Sequence, residues 1–488
     1  MADVGTFGLV VLILVIIVDL GVRVVALTVI PQNRKPQTAM AWLLAIFLLP
    51  YLGIILFLLI GSTRLPRRRR EKQQEINEYI LDVTEGVDRV NKDANYPDWL
   101  DPIVELNRTL GSMPLVGGNT ATLFTEYDES IDEMTAALAK ARRFVHVEFY
   151  ILSLDTTTTP FFAALEAAVK RGVTVRVLLD HIASSRTPGY RRTTRELTRI
   201  GVSWHLMLPV QPLRGHYQRP DLRNHRKILV IDGVTAFTGS QNMIDRSYNK
   251  RSNLRRGLKW KDLMVRFEGP IVAGINALFV TDWYSETDEL LVREAEELPD
   301  PKPDTFLDAQ VVPSGPGFDL ENNLRLFDSL LHSAQERVII TSPYFVPDDS
   351  MLYAITGAAY RGLDVQLFVS EVGDQPVVFH AQRSYYEALL RAGVRIWLYK
   401  TPTVLHAKHF TIDDEVAVIG SSNMDMRSFS LNFEISVMVH GRGFVERLRA
   451  VEQTYRDNSR ELLLDQWLER PLRSKVLDNT ARLTAAVQ

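Results

Sequence analysis

The chain has 488 residues, enough for two or three domains and a sizeable core. A formal net charge of −3 and a pI of about 6.4 exclude a globally basic nucleic-acid binder. With no cysteine there is no disulfide, thiolate metal site or cysteine nucleophile, a composition that fits a reducing compartment.

The first sixty residues are not ordinary soluble protein. Phe7 to Val18 is wholly apolar, and the run resumes after Asp19, Gly21 and Arg23 to reach Ile30. Ala39 to Ile60 carries no charge, and roughly 20 apolar residues suffice to cross a bilayer. The two runs predict an N-terminal transmembrane helical hairpin over residues 1–62, with Pro31 to Thr38 as its turn. Asp19 and Arg23, four apart in the favourable acid-first order, pair on one helical face and make burial in lipid tolerable. A signal peptide fits less well: Met1 to Gly5 holds Asp3 and no Lys or Arg, and no small-residue cleavage site follows. Arg64, Arg67, Arg68, Arg69, Arg70 and Lys72 outnumber Arg34 and Lys35 in the turn. The positive-inside rule therefore places the turn outside and everything after Ser62 in the cytoplasm, behind a multi-pass anchor. The same cluster is suited to an anionic leaflet.

Residues 63–103 form a basic flank and connector. Ile76, Ile80, Val83 and Val87 recur at three- and four-residue spacing across Glu71 to Asp98, as on an amphipathic helix. An α/β pattern follows. Phe144 to Leu152 is a buried strand candidate, Phe161 to Lys170 a helix, and Val173 to Leu179 the next strand. Arg337 to Phe345 and Leu363 to Val369 repeat that order. Landmark pairs recur about 180–190 residues apart, the mark of a duplicated domain rather than a solenoid. The expected domains are 104–297 and 305–465, joined by a proline-rich linker, 298–304, with a C-terminal helical tail at 466–488. That tail reads equally as a membrane contact or a packing helix.

Each half carries one complete copy of an eighteen-residue pattern. The first comprises His225, Lys227, Asp232, Gly239, Ser240 and Asn242; the second His406, Lys408, Asp413, Gly420, Ser421 and Asn423. Six matched positions found twice are a specific signal, where a lone His-x-Lys is noise. Each copy reads as a strand, a tight Asp-centred turn and a second short strand. Strand alternation puts His and Lys on one face, so an imidazole can attack or protonate while an ammonium neutralises a phosphoryl oxygen. Glycine permits close backbone approach, and asparagine offers a neutral donor. His409, one residue past Lys408, faces the other side of the strand and reads as a core or surface histidine rather than a metal partner. The basic run Arg214, His216, Arg219, Arg223 and Arg226 is either a solvated loop or a field for an acidic substrate. Tyr344 and Phe345 read as core or as the edge of an acyl-chain entrance.

The duplicated His-x-Lys-x4-Asp-x6-Gly-Ser-x-Asn resembles the phospholipase D superfamily. Over nearly its whole length the chain resembles bacterial cardiolipin synthases: Asn33-Arg34-Lys35-Pro36, Ala41-Trp42, Arg223 to Lys227, Pro343 to Pro347, Trp467 and Arg470-Pro471 carry that likeness. The resemblance implies two phospholipase D-like α/β/α sandwich domains with pseudo-two-fold symmetry, meeting at one site that needs no metal and no cofactor. It implies phosphatidyl transfer between two phosphatidylglycerol molecules through a phosphohistidine, giving cardiolipin and glycerol. His225 would be the nucleophile and His406 the general acid and base. Lys227, Lys408, Asn242 and Asn423 would cradle the phosphate. Ser240 and Ser421 would support the turns; Asp232 and Asp413 belong to the catalytic motif in the superfamily, while their turn positions favour local capping. In the superfamily a carboxylate after each motif orients its histidine; Glu434, 28 residues after His406, fits that place, and Asp262, 37 after His225, is its counterpart across the basic insertion Tyr248 to Lys261.

Water and an alcohol attack the same phosphohistidine, so a membrane-bound phospholipase D releasing phosphatidic acid is the alternative. The apolar N-terminus favours lipid substrates over nucleic acid. A non-enzymatic scaffold would be expected to lack a histidine or lysine, and both copies are intact.

Overall fold

The computed structural model describes residues 2–32, 34–61, 65–84, 96–211, 216–291, 307–318 and 321–484. It divides into two compact units, Met1–Arg64 with Arg219–Asp221, and Leu65–Gln218 with Leu222–Gln488. The expected linker at Leu298–Pro303, Val87 of the connector and Arg214 of the basic run lie outside the described residues.

In the first unit, α1 (Ala2–Val29) contains the 23-residue apolar stretch Phe7–Val29, and Asp19 and Arg23 pair at 2.8 Å as expected. The second apolar run is not one helix. It divides into α2 (Pro36–Leu48) and α3 (Pro50–Ile60). Pro50 cannot donate a helical hydrogen bond, and it pushes the residue before it out of the α region: Leu49 sits at φ −134°, ψ 72°. The two short helices fold back on each other, with Trp42 edge-on to Phe57 at 5.4 Å.

The second unit holds two mixed sheets of matching design. The first comprises β1 (Thr120–Phe124), β2 (Phe144–Phe149), β3 (Thr174–Asp180), β4 (Ser203–Met207), β5 (Lys227–Ile231), β6 (Thr235–Gly239) and β7 (Met264–Glu268), in the order β1-β7-β6-β5-β2-β3-β4. The second comprises β8 (Asp308–Ser314), β9 (Arg337–Thr341), β10 (Asp364–Ser370), β11 (Arg395–Tyr399), β12 (His409–Ile412), β13 (Val416–Gly420) and β14 (Asn432–His440). Its order is β8-β14-β13-β12-β9-β10-β11, the same path shifted by seven strands, with Leu115–Val116 and Ser459–Leu462 added at its edges. β2, β3 and β4 run parallel, as do β9, β10 and β11, through helical crossovers; the motif hairpins are antiparallel.

Alternation along the motif strands divides the core into layers. Ile228 and Val230 of β5 join Ile419, Ile435 and Val437 of the other half in a shared central core. Leu229 and Ile231 face an outer core with Phe161 and Leu165, while Phe410 and Ile412 face the opposite outer core with Phe327 and Leu330. The helices Ile271–Thr287 and Arg442–Asp457 supply Ile275 and Leu448 to the central layer. The two expected domains therefore share one interior. The connector helix α4 (Arg67–Val83) buries Ile76 and Ile80 there as its spacing predicts. Its basic residues are partly neutralised: Arg67 pairs with Glu71 at 2.6 Å, Arg68 with Asp288 at 2.9 Å and Arg69 with Glu286 at 2.6 Å.

Asp232 and Asp413 behave as local caps. Each lies at positive φ in its hairpin turn, 54° and 49°. The Asp232 carboxylate accepts from the amides of Arg142, Arg143 and Phe144 at 2.7–3.0 Å, and Asp413 accepts from Gln335, Glu336 and Arg337 at 2.8–3.0 Å. Both pin the start of the strand beside their own motif strand. Asp232→Ala is expected to cost about 1–3 kcal/mol, read as a lower unfolding midpoint, with kcat of the folded protein unchanged. Gly420 is required by close approach, since a Cβ there would lie 2.1 Å from the Ile435 carbonyl oxygen.

The tail forms a helix, α5 (Leu472–Arg482), that packs through its polar residue. Buried Asp478 accepts from Arg383 at 3.3 Å, lies 2.7 Å from His380 Nδ1 and also pairs with Arg470, whose guanidinium covers the Trp467 ring. Leu472, Val476 and Leu483 face outward.

Candidate active site

The two histidines lie in breaks between short strands rather than within regular ones. His225 follows Arg223–Asn224, and His406 follows Thr403–Leu405. Each of these segments leaves its own sheet and adds, in parallel, to a strand of the opposite half. Asn432 and Phe433 pair with Arg223 and Asn224; Lys259 to Lys261 pair with Thr403 to Leu405. The backbone N–H of His225 donates to the Phe433 carbonyl at 2.9 Å, and that of His406 to the Lys261 carbonyl at 2.7 Å. The residue after each of those carbonyls is a carboxylate.

This exchange reverses the expected pairing. Glu434 does not hold His406 but lies 3.0 Å, through both oxygens, from His225 Nδ1; Asp262 lies 2.7 Å from His406 Nδ1. The assignment of Glu434 and Asp262 to the histidines of their own halves is corrected by the strand addition just described. Ser240 and Ser421 also depart from the simple turn role. Ser240 Oγ donates to Asp262 at 2.7 Å, and Ser421 Oγ donates to Glu434. Motif one thus steadies the carboxylate that serves motif two, and the reverse.

The lysines bond back to their own histidines, Lys227 Nζ to the His225 carbonyl and Lys408 Nζ to the His406 carbonyl at 2.7 Å. Lys408 Nζ also stands 3.2–3.3 Å from both ring nitrogens of His406. Asn242 is partly committed: its Oδ1 accepts from Ile151 N–H at 3.2 Å and its Nδ2 donates to Tyr248 Oη at 2.8 Å. Asn423 is buried with no partner for its Oδ1 among the described residues, the bonding state of a group available to a ligand.

Burial dominates the electrostatics. It pushes the His225 imidazole down to about 4, with Glu434 opposing and Lys227 adding to the fall. Burial also lowers His406, opposed by Asp262, and brings Lys408 down to about 8. Burial pushes Glu434 and Asp262 up, but the facing histidines, with a lysine and a serine hydroxyl beside each, together outweigh it and leave both below their ordinary values. The Lys408 charge acts on His225 and the Lys227 charge on His406, so both motifs share one electrostatic environment.

The surroundings of the two histidines differ. Behind His225, Arg223 pairs with Asp180 at 3.0 Å, Asn224 donates to Glu148 at 2.8 Å, and Arg226 pairs with Asp282 while donating to the Glu434 carbonyl at 3.1 Å. At the matching places of the second half stand Val404, Ala407 and Ser370. Arg223 and Arg226 are therefore buried supports and not a solvated loop. Tyr150 meets the His225 ring edge-on at 4.9 Å, and Tyr248 and Tyr344 stand 6.4 and 6.3 Å from His406. Tyr150, Tyr248, Asp180, Glu148 and Asp282 carry no motif signal in a single sequence. Phe345 is core, and Tyr344 bonds Asp374 at 2.8 Å. His409 is also core, 3.6 Å from Glu452 and close to Tyr455. A 260 Å³ cavity lies elsewhere, between Ile76, Ile80, Ile271, Gly274 and Val311.

Two halves of one strand order, contributing matched His–Lys sets whose carboxylates are exchanged, define a duplicated phosphodiester-transfer fold of the phospholipase D type. A family model described as "Cardiolipin synthase, PLD-like domain" matches residues 134–280 and 327–454, and one described as "Phospholipase_D-nuclease N-terminal" matches 9–62. Cardiolipin synthase A of Proteus mirabilis is 33% identical over 462 residues, 92% of each chain. That of Pectobacterium carotovorum is 34% identical over 477 residues, 93% of each. A crystal structure of phosphatidylserine synthase from Haemophilus influenzae superposes with a TM-score of 0.59 at 14% identity, over 79% of this chain and 99% of that one, a likeness of fold. The chain belongs to the cardiolipin synthase family of the phospholipase D superfamily.

Proposed function

We propose that this protein is a phosphatidyltransferase that makes cardiolipin and glycerol from two molecules of phosphatidylglycerol, at the surface of a bacterial inner membrane, with its catalytic domains on the cytoplasmic side. The observation that carries the reading is the pair of imidazoles, each held at Nδ1 by a buried carboxylate and each beside a lysine. A carboxylate on Nδ1 fixes the tautomer and leaves Nε2 to react. One phosphodiester exchange then splits into two displacements, which needs one nucleophilic and one acid–base imidazole.

His225 is the nucleophile in this mechanism. Its basicity is pushed down to about 4, so at neutral pH its lone pair is free. The Arg223–Asp180 and Arg226–Asp282 pairs fix its backbone, whereas the second half has neutral residues there. His225 Nε2 attacks phosphorus and forms the P–N bond as the P–O bond to glycerol breaks. His406 gives its proton to the departing glycerol oxygen, with Asp262 at 2.7 Å stabilising the imidazolium beforehand. His406 then takes the proton from the primary hydroxyl of a second phosphatidylglycerol, which attacks the phosphohistidine and releases cardiolipin. Lys227, Lys408, Asn242 and Asn423 neutralise or bond the non-bridging oxygens as charge develops.

The pH dependence follows. kcat/KM is expected to rise through about 4, as His225 loses its proton, and to fall again as His406, held below its ordinary value by burial, loses the proton it must give; loss of the Lys408 ammonium charge near about 8 deepens that fall. Glu434 raises His225, so Glu434→Gln moves the acid limb to lower pH; an unmoved limb would remove His225 from that role. Product analysis tests the reaction itself. The purified protein in detergent with phosphatidylglycerol and a chelator is expected to yield cardiolipin and glycerol; phosphatidic acid as main product would make it a hydrolase.

A further inference from the structure

The second apolar segment was expected to cross the bilayer, and its geometry is of another kind. At about 1.5 Å per residue, the 13 residues of α2 span about 20 Å and the 11 of α3 about 17 Å, against a hydrocarbon core of about 30 Å. Among the described residues only Phe7–Val29 is long and apolar enough to cross. The ends of the segment also meet. Arg34 Nη1 donates to the carbonyls of Val29 and Ile30 at 3.3 and 2.8 Å, and Arg34 Nη2 donates to the carbonyl of Gly61 at 3.3 Å. One guanidinium therefore joins the C-terminal end of α1 to the C-terminal end of α3, where helix dipoles favour a cation. In a continuous helix, residues 34 and 61 would stand about 40 Å apart. Arg34 also covers the Phe57 ring at 4.8 Å, and Phe57 meets Trp42 at 5.4 Å.

The bend suits the interior of a membrane. Pro50 has no N–H to leave unpaired, Leu49 N–H bonds the Ala45 carbonyl at 2.9 Å, and Gly53 N–H bonds the Leu49 carbonyl at 2.7 Å. A Cβ on Gly53 would come within 2.8 Å of Ile46 Cα, so the two arms require glycine there. Met40, Leu44, Leu48, Leu52, Ile55 and Leu58 are exposed around the pair, an apolar outer surface.

We infer that α1 alone crosses the membrane, and that α2 and α3 form a re-entrant hairpin seated in the lipid of the leaflet that faces the catalytic domains. Charge independently favours this arrangement. With two crossings, Arg34 and Lys35 lie on the opposite side from Arg64, Arg67, Arg68, Arg69, Arg70 and Lys72. With one crossing and a re-entrant hairpin all eight share a side, and Met1 to Thr6, with Asp3 and no Lys or Arg, lie on the other. The N-terminus then lies across the membrane from the active site. The inference rests on membrane anchoring and not on the chemistry proposed above.

The absence of cysteine makes the test direct. Single-cysteine variants Asp3→Cys, Gln32→Cys and, as a marker of the catalytic domain, Lys170→Cys are expressed in bacterial cells and treated with a membrane-impermeant maleimide before and after the inner membrane is permeabilised. Asp3→Cys is expected to label in intact cells, while Gln32→Cys and Lys170→Cys label only after permeabilisation. Labelling of Gln32→Cys in intact cells with Asp3→Cys protected would establish two crossings and overturn the inference. Protection of all three would show no crossing and overturn it also. If Gln32→Cys and Lys170→Cys label together in intact cells and Asp3→Cys does not, the re-entrant hairpin stands and the cytoplasmic placement of the active site falls.

Discussion

His225→Asn is expected to abolish turnover, with a loss of about 10⁴-fold or more, because a covalent route has no substitute for its nucleophile. No phosphoryl adduct should form on the variant with any donor. His406→Asn should differ in a way only an acid–base role explains. With phosphatidylglycerol it should also be nearly inactive, since the glycerol oxygen departs unprotonated. With phosphatidyl-p-nitrophenol, whose leaving group needs no proton, the variant should regain adduct formation on His225. Mass spectrometry of the peptide carrying residue 225 reads both outcomes. An adduct surviving in His225→Asn would assign nucleophilic attack elsewhere.

Glu434→Gln and Asp262→Asn are expected to show the exchange of carboxylates in their kinetics. Each should lower kcat by about 10²–10⁴-fold with little change in KM, as replacement of a histidine-bound carboxylate by an amide does elsewhere. Their dependence on leaving group should differ. Asp262 lies 2.7 Å from the His406 ring, so the cost of Asp262→Asn should shrink with p-nitrophenol as leaving group. Glu434 faces His225, so the cost of Glu434→Gln should persist with either donor. The reverse pattern is what pairing within each half would give. Because Ser421 donates to Glu434 and Ser240 to Asp262, Ser421→Ala and Ser240→Ala should reproduce weaker versions of the same two patterns.

The sheets were legible because their causes are local. β-branched runs, Asp-centred turns and the repeat of landmark spacings predicted two copies of one α/β unit, and the strand orders match strand for strand. Asp232 and Asp413 were legible as caps because an Asp-Gly or Asp-Asp turn places the carboxylate beside the amides of an adjoining strand. The partner of each histidine was not legible. Counting residues from His406 to Glu434 gives their separation along the chain, whereas the contact depends on which sheet the short segment Arg223–Asn224 joins. That choice is tertiary. The supports behind His225 were hidden for the same reason: Asp180 and Asp282 lie far from the motif in sequence and meet it only through β3 and a helix. In the N-terminal unit, composition predicted burial in lipid but not direction. The uncharged run Ala39 to Ile60 reads as one crossing, and neither its break at Pro50 nor the return of the chain to Arg34 follows from hydropathy, because both depend on contacts that hydropathy does not encode.

The proposed mechanism requires two imidazoles from separate halves to act on one phosphorus atom. A crystal structure of the protein with orthovanadate, a trigonal-bipyramidal mimic of the transferring phosphoryl group, measures this most directly. Vanadium is expected bonded to His225 Nε2, with His406 Nε2 within hydrogen-bond distance of the opposite apical oxygen and both lysines on the equatorial oxygens. Vanadate held by one histidine, with the other ring turned into a separate cavity, would contradict it.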